Sequence, residues 1–230
     1  MEKFKVKDNI CLFTEKYSYN NTYVNVYLVR DESPVLINVG PPEKSKDFMD
    51  VISESIPLEE IKIVLLLDSE REHVGGIPAF VSKLPKARFI TSWLNYDLII
   101  NYTADIKLEM MREKWVLKSG KNRIKFFESM IPTPESLFVL IDGVLFTGSA
   151  FALDLKDGHI DESDRMEDIE ELFHLYRNRA HKIGEYMEKL GEHEIEAIAP
   201  AHGPVLKGNV GDYIEKWKIL SNTLKGQEKN

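Results

Sequence analysis

The chain has 230 residues, of which 43% are hydrophobic and 30% charged, and its formal net charge is −8. That balance belongs to a folded globular protein, and no apolar run approaches the ~20 residues that span a bilayer, so disordered and membrane classes are excluded. Nucleic acid is not an expected partner either, because an acidic chain without a long basic run cannot displace counterions from phosphates.

The N-terminus, Met1 to Asp8, lacks the apolar core of a signal peptide, so a cytoplasmic location is expected. Cys11 is the single cysteine; in the apolar strand Ile10–Phe13 it reads as a small buried hydrophobe. Tyr23–Val29 alternates, turns through Arg30-Asp31-Glu32-Ser33, and resumes at Pro34–Val39. A helix is predicted over Lys44–Glu54, with Phe48, Val51 and Ile52 on one face. A buried strand at 62–67 follows, then a helix through Ile77, Phe80, Val81 and Leu84, stopped by Pro85. Arg88–Thr91 is a short strand, and 96–118 reads as a mixed helical region.

The second half repeats the scheme. Leu137–Ile141 and Val144–Thr147 flank Asp142-Gly143, a strong two-residue hairpin signal. Residues 167–190 read as one helix: Ile169, Leu172, Phe173, Tyr176, Ala180, Ile183, Met187 and Leu190 keep a 3.6-residue period, and Gly191 follows. A strand at Ile195–Ala199 runs into Pro200-Ala201-His202-Gly203-Pro204. The whole, 1–230, is expected to be one α/β domain, a four-layer αββα sandwich: two mixed sheets packed together, with helices on both outer faces.

Chemistry concentrates where the buried strand ends. Residues 68–76 read Asp-Ser-Glu-Arg-Glu-His-Val-Gly-Gly, which puts three carboxylates and one histidine on the turn that enters the next helix. An α/β protein places metal and ligand sites at such strand ends. The remaining histidines carry weaker signals. His174 and His181 read as solvated or boundary residues and His193 as a loop residue. His159, in an acidic loop, is a candidate substitute ligand. Trp93, Trp115 and Trp217 read as packing residues.

The nonapeptide resembles the metallo-β-lactamase superfamily signature, H-x-H-x-D-H-x-G-G, with the last histidine and both glycines unchanged. Three further segments extend the resemblance: Pro134–Phe138, Gly143–Phe151, and Ala199-Pro200-Ala201-His202-Gly203-Pro204 with Tyr213–Trp217. Together they are similar to the metal domain of flavodiiron proteins, which place Glu where Glu70 stands here. That family has the αββα metallo-β-lactamase-like fold and reduces oxygen or nitric oxide; its stand-alone diiron domains include oxygen binders. No flavodoxin domain, and hence no FMN, is expected within this chain.

The resemblance implies seven ligand positions. Glu70, His73 and His202 stand unchanged, while Asp68 replaces a His and Glu72 an Asp. Pro132 falls at a His position and Ser149 at that of the bridging Asp, and neither is a good ligand. By this carry-over Glu72, His73 and His202 would hold a metal, leaving Asp68 and Glu70 as a weak second position. The expectation is a degraded site with one iron or zinc ion, or none, in a redox- or oxygen-linked role. Metal-dependent hydrolysis and a catalytically silent scaffold stay open. A homodimer is expected, and a separate electron-donor protein is compatible with the reading.

Overall fold

The structure is a computed structural model that describes residues 1–17, 22–103, 106–111, 115–129 and 131–227. Two seven-stranded sheets form its centre. The first contains, in spatial order, β1 (Glu2–Lys7), β2 (Ile10–Tyr17), β3 (Thr22–Val29), β4 (Val35–Ile37), β5 (Ile63–Leu66), β6 (Arg88–Thr91) and β7 (Leu108–Met110). Its first four strands are antiparallel neighbours and the rest run parallel. The second sheet comprises β8 (Val116–Lys118), β9 (Arg123–Glu128), β10 (Leu137–Ile141), β11 (Val144–Phe146), β12 (Ile160–Asp161), β13 (Ala197–Ala199) and β14 (Val205–Lys207). Its order is β12-β14-β13-β11-β10-β9-β8.

Alternation along each strand builds three apolar layers. Ile63, Leu65 and Leu67 meet Leu137, Val139 and Ile141 between the sheets. Val64 and Leu66 face outward under α1 (Ser45–Ser53), α2 (Arg71–Val74) and α3 (Ile77–Lys83), against Phe48, Val74 and Phe80. On the far side Phe138 and Leu140 pack against α5 (Met166–Leu175), α6 (Ala180–Gly191) and α7 (Val210–Gln227) through Phe173, Met187 and Trp217. Both sheet faces are thus covered, which is why β5 and β10 are continuous apolar runs. The four layers of the αββα sandwich follow from this. The described residues include no helix long and apolar enough to cross a membrane.

Three sequence expectations need correction. The 96–118 stretch is not a mixed helix: α4 (Trp93–Ile99) ends early, and β7 and β8 follow as edge strands, with 104–105 and 112–114 outside the described residues. Pairing decides it, since β7 joins β6 in parallel and Arg88 forks onto Glu109 at 3.0 and 2.7 Å. The 167–190 helix is two helices broken at Tyr176 (φ −109°, ψ 11°) by a 3₁₀ turn, Arg177–Arg179. The corner turns Tyr176 onto Trp217, at 6.2 Å between ring centroids, and lets Arg179 donate to the Pro132 carbonyl. Trp93 is not a packing residue: it opens α4 at 57% exposure. The Asp142-Gly143 hairpin forms, with both residues at positive φ (50° and 76°) as a type I′ turn needs.

Asp31 bolts the two sheets together. From the β3–β4 turn its carboxylate accepts from the backbone N–H groups of Lys121 (3.2 Å) and Asn122 (3.0 Å) and from the Ser119 hydroxyl (3.1 Å), all on the β8–β9 turn. Burial opposes the charge, but these donors outweigh it and hold the Asp31 carboxyl below its ordinary 3.8. A lowered folded value stabilises above the unfolded pKa, and the contribution disappears as pH falls below 3.8 toward the folded value. Asp31→Asn should therefore cost on the order of 1 kcal/mol at neutral pH, after solvent screening. The variant should lose less stability than the wild type on acidification. Urea unfolding from pH 6 to pH 3 checks this; parallel curves would rule it out.

Candidate metal site

The first half of the site is set by the end of β5. Leu67 donates its N–H to Asn38 Oδ1 (3.1 Å), which fixes where the strand stops. Asp68, 3% exposed, accepts from the Glu70 N–H (3.0 Å) and so turns the chain into α2. Glycine is required where α2 ends. A Cβ at Gly75 would lie 2.5 Å from the Arg71 carbonyl oxygen, and one at Gly76 would lie 2.9 Å from that of Val39. This close approach lets the His73 carbonyl accept from Val39 and Gly40, both at 2.9 Å. His73 is completely buried, and its Nδ1 sits 2.8 Å from both Asp68 oxygens.

The second half comes from the other sheet. After β13 the turn 200–203 carries His202, whose Nδ1–H donates to the Tyr23 carbonyl (2.9 Å) on β3. Gly203, at φ +72°, has no room for a side chain: a Cβ would stand 2.0 Å from the Leu153 carbonyl oxygen. The turn after β11 supplies Ser149, whose hydroxyl donates to Glu70 Oε2 (2.9 Å).

His73 and His202 meet Nε2 to Nε2 at 2.8 Å. Both Nδ1 atoms are already committed, to Asp68 and to the Tyr23 carbonyl. Two neutral rings so tied would present lone pairs to each other, so the contact calls for a positive charge between them, a proton or a metal ion. Of the two rings, the electrostatics favour His73 for the charge. Burial works against its charged form, but Asp68, by charge and hydrogen bond, and then Glu70 raise its pKa above the ordinary 6.5. Burial and the His73 charge push His202 down to about 4. Burial, with the Asp68 charge, also raises Glu70 against the pull of His73 and the Ser149 hydroxyl.

Ligand-type atoms of Glu70, His73 and His202 lie within 4.8 Å of one another, the one such group among the described residues. The geometry therefore brings Glu70, not Glu72, to the two imidazoles. Positions 70 and 73 are one helical turn apart and share a face, whereas 72 and 73 diverge by ~100° around the helix. Glu72, half-buried, contributes charge to His73 and His202 from outside the group. Asp68 also stands outside, committed to His73. His159 does not reach the group: it is buried between the Phe4 and Tyr23 rings, at 4.7 Å from each, with Nε2 3.6 Å from Glu2. His174 and His181 are exposed. Sequence reasoning passed over Tyr23, Asn25 and the ordering role of Ser149. Asn25 offered one signal, an amide inside the apolar strand Tyr23–Val29.

A two-sheet αββα sandwich with His and Glu ligand-type side chains converging at the strand ends defines a metallo-β-lactamase-like domain. Within that class the chain belongs to the ODP family beta lactamase family, whose profile matches residues 22–203. It is 25% identical over 223 residues to the anaerobic nitric oxide reductase flavorubredoxin of Vibrio vulnificus, covering 91% of this chain and 45% of that protein. The chain thus spans about half the length of the curated relatives it matches. Rubredoxin oxygen:oxidoreductase from Desulfovibrio gigas superposes with a TM-score of 0.80 at 19% identity, over 96% of this chain and 62% of that one. The fragment 1–254 of a diflavin flavoprotein from Nostoc superposes at 0.84 and 18% identity, over 100% and 98% of the two chains.

Proposed function

We propose that this chain is a flavodiiron-like domain that holds a single iron or zinc ion through Glu70, His73 and His202, in a redox- or oxygen-linked role. The observation that carries the reading is the 2.8 Å Nε2–Nε2 contact, with a carboxylate alongside. Two imidazoles and one carboxylate are the donor set of mononuclear non-haem iron sites, and they also suit zinc. The flavorubredoxins and flavodiiron proteins among the relatives favour iron. Tetrahedral ligands at about 2.0–2.1 Å stand roughly 3.3 Å apart, so His202, the more exposed of the two rings, would move about 0.5 Å to admit an ion.

The donors a second ion would need are spent elsewhere. Asp68 is held by His73, Ser149 donates to Glu70, and the Pro132 carbonyl accepts from Arg179. Once bound, an ion supplies Lewis acidity and an open coordination position. The chain's own residues do the rest: Asp68 orients His73, the Tyr23 carbonyl selects the His202 tautomer, and Ser149 holds Glu70. Turnover with oxygen or nitric oxide would call for an electron donor.

Elemental analysis of protein loaded anaerobically with Fe(II) or Zn(II) tests the stoichiometry. One ion per chain is expected, and two tightly held ions would overturn the single-ion reading. No retained metal would favour a silent scaffold. Visible absorption, reduced and then exposed to air, separates iron from zinc. Asp68→Asn removes the carboxylate charge behind His73 and should weaken the ion about 10–100-fold in a competitive chelator titration.

Hydrolysis is a second reading, favoured by one observation. A cleft of about 450 Å³ lined by Tyr23, Leu153, Asp154, Leu155 and His202 opens beside the group. That volume suits an organic substrate better than a diatomic gas. Turnover of ester or lactone substrates by the zinc-loaded protein, lost in Glu70→Gln, would support it.

A further inference from the structure

We propose that Asn25 is a positioning residue for this site, fixing where His202 presents its Nε2; the proposal rests on reading His202 as a metal ligand. Asn25 lies on β3 and is wholly buried. It holds the 200–203 turn at three points. Its backbone N–H donates to the Ala201 carbonyl (2.9 Å), and its amide Nδ2 donates to the carbonyls of Pro200 (3.0 Å) and Gly203 (2.9 Å). The two carbonyls that the amide ties lie on either side of His202, so one planar amide spans the peptide units that carry the ring.

The amide is itself held. Thr14, also fully buried, donates to Asn25 Oδ1 at 2.7 Å, which leaves Nδ2 to face the turn. Tyr27, two residues along β3, adds its hydroxyl to the Pro200 carbonyl at 2.6 Å. Val24 bridges to His202, and Tyr23 accepts the ring Nδ1–H. Residues 23–27 thus form one template from the first sheet, against which a turn of the second sheet is moulded. A core asparagine serving stability alone could pair with any polar neighbour. This one has its amide nitrogen closest to the two carbonyls that flank the ligand, at 3.0 and 2.9 Å, with the Tyr27 hydroxyl farther off at 3.2 Å.

Asn25→Ser removes the amide and both its donor hydrogens and adds no bulk, leaving the Pro200 and Gly203 carbonyls to other partners. Nitrogen-15 correlation spectra of the histidine rings read the result without any metal. The wild type should show His202 as a single Nδ1–H tautomer, with that proton shielded from exchange by the Tyr23 carbonyl. Asn25→Ser should show mixed tautomers and a rapidly exchanging proton. In a zinc titration the variant should bind about tenfold more weakly, the lower end of the 10–100-fold loss that follows removal of a ligand's supporting partner.

Leu190→Ala, a buried truncation in α6, is the control, because it should lower the melting temperature and leave both readouts unchanged. Asn25→Ser lowering stability while the ring pattern and zinc affinity stay as in the wild type would overturn the proposal. Should Asn25→Ser not fold, Tyr27→Phe removes the second donor to Pro200 and the hydroxyl that accepts from Asn25 Nδ2 at 3.2 Å, leaving both Asn25 amide contacts to the turn in place. A smaller shift in the same direction is then expected, and no shift would count against the template. A wild type that takes up no zinc would defeat the metal reading, while the ring spectra would still decide the role of Asn25.

Discussion

His202→Ala should leave the protein folded and without metal. His202 is the one member of the candidate ligand group supplied by the second sheet, and it lines a cleft outside the three apolar core clusters, so truncation leaves those clusters intact. What remains is Glu70 and His73, two donors from one turn, against water at every other coordination position. Replacing a residue that merely supports a ligand typically costs roughly 10–100-fold in affinity, so losing one ligand of three should abolish retention through gel filtration. The same truncation removes the Nε2 partner of His73, leaving that ring to Asp68 and, at 3.7 Å, Glu70. Elemental analysis beside the wild type is the measurement. One ion per chain in both proteins would place the metal elsewhere and sink the assignment.

Trp217→Ala should be the most destabilising single change outside the site. Trp217 is fully buried in α7 and stacks on Phe151 at 4.2 Å between centroids and 21° between planes. It also meets the edges of Phe173 and Tyr176, at 5.8 and 6.2 Å, and donates Nε1–H to the Ile169 carbonyl at 2.8 Å. Truncating a buried aromatic of this kind costs about 3–5 kcal/mol, or roughly 10 °C in melting temperature for a chain of this size. Trp217→Phe keeps most of the ring contacts and should cost far less, about the hydrogen bond plus a small cavity. Denaturant midpoints for the two variants check the ranking; an alanine variant within 1 kcal/mol of wild type would refute it. Because Phe151 follows the Ser149 turn and Tyr176 forms the α5–α6 corner, the alanine variant should also loosen the Glu70–Ser149 contact.

The layer architecture was legible in the sequence because burial on both sheet faces leaves unbroken apolar runs, as at Ile63–Leu67 and Leu137–Ile141. The Asp142-Gly143 turn was legible because few dipeptides accept positive φ twice in succession. The break at Tyr176 was hidden by its own regularity: the apolar period runs through 176–180 undisturbed, and only the tertiary contact with Trp217 shows why the chain bends. Edge strands β7 and β8 were hidden for a different reason, since three residues are too few to display alternation. At the site, the motif brought Glu70, His73 and His202 forward as candidates. It could not rank Glu70 over Glu72, which depends on where the first turn of α2 begins. Nor could it show Tyr23 and Asn25, which act through a carbonyl and an amide from a strand almost 180 residues away in sequence.

Glu70 and His73 follow a strand of the first sheet and His202 a strand of the second, and the two halves are tied by polar contacts from Asp31, Asn25 and Tyr27. Each half of the molecule therefore carries only part of the candidate ligand group, and the group closes only when the halves dock in register. An ion that binds all three residues also works as a clasp across the sandwich, so its binding energy adds to the cohesion of the halves. Chelation should weaken the seam between the sheets more than either sheet itself. Mutational drift in one half is then tolerable only while it leaves the meeting point of the two where the other half expects it.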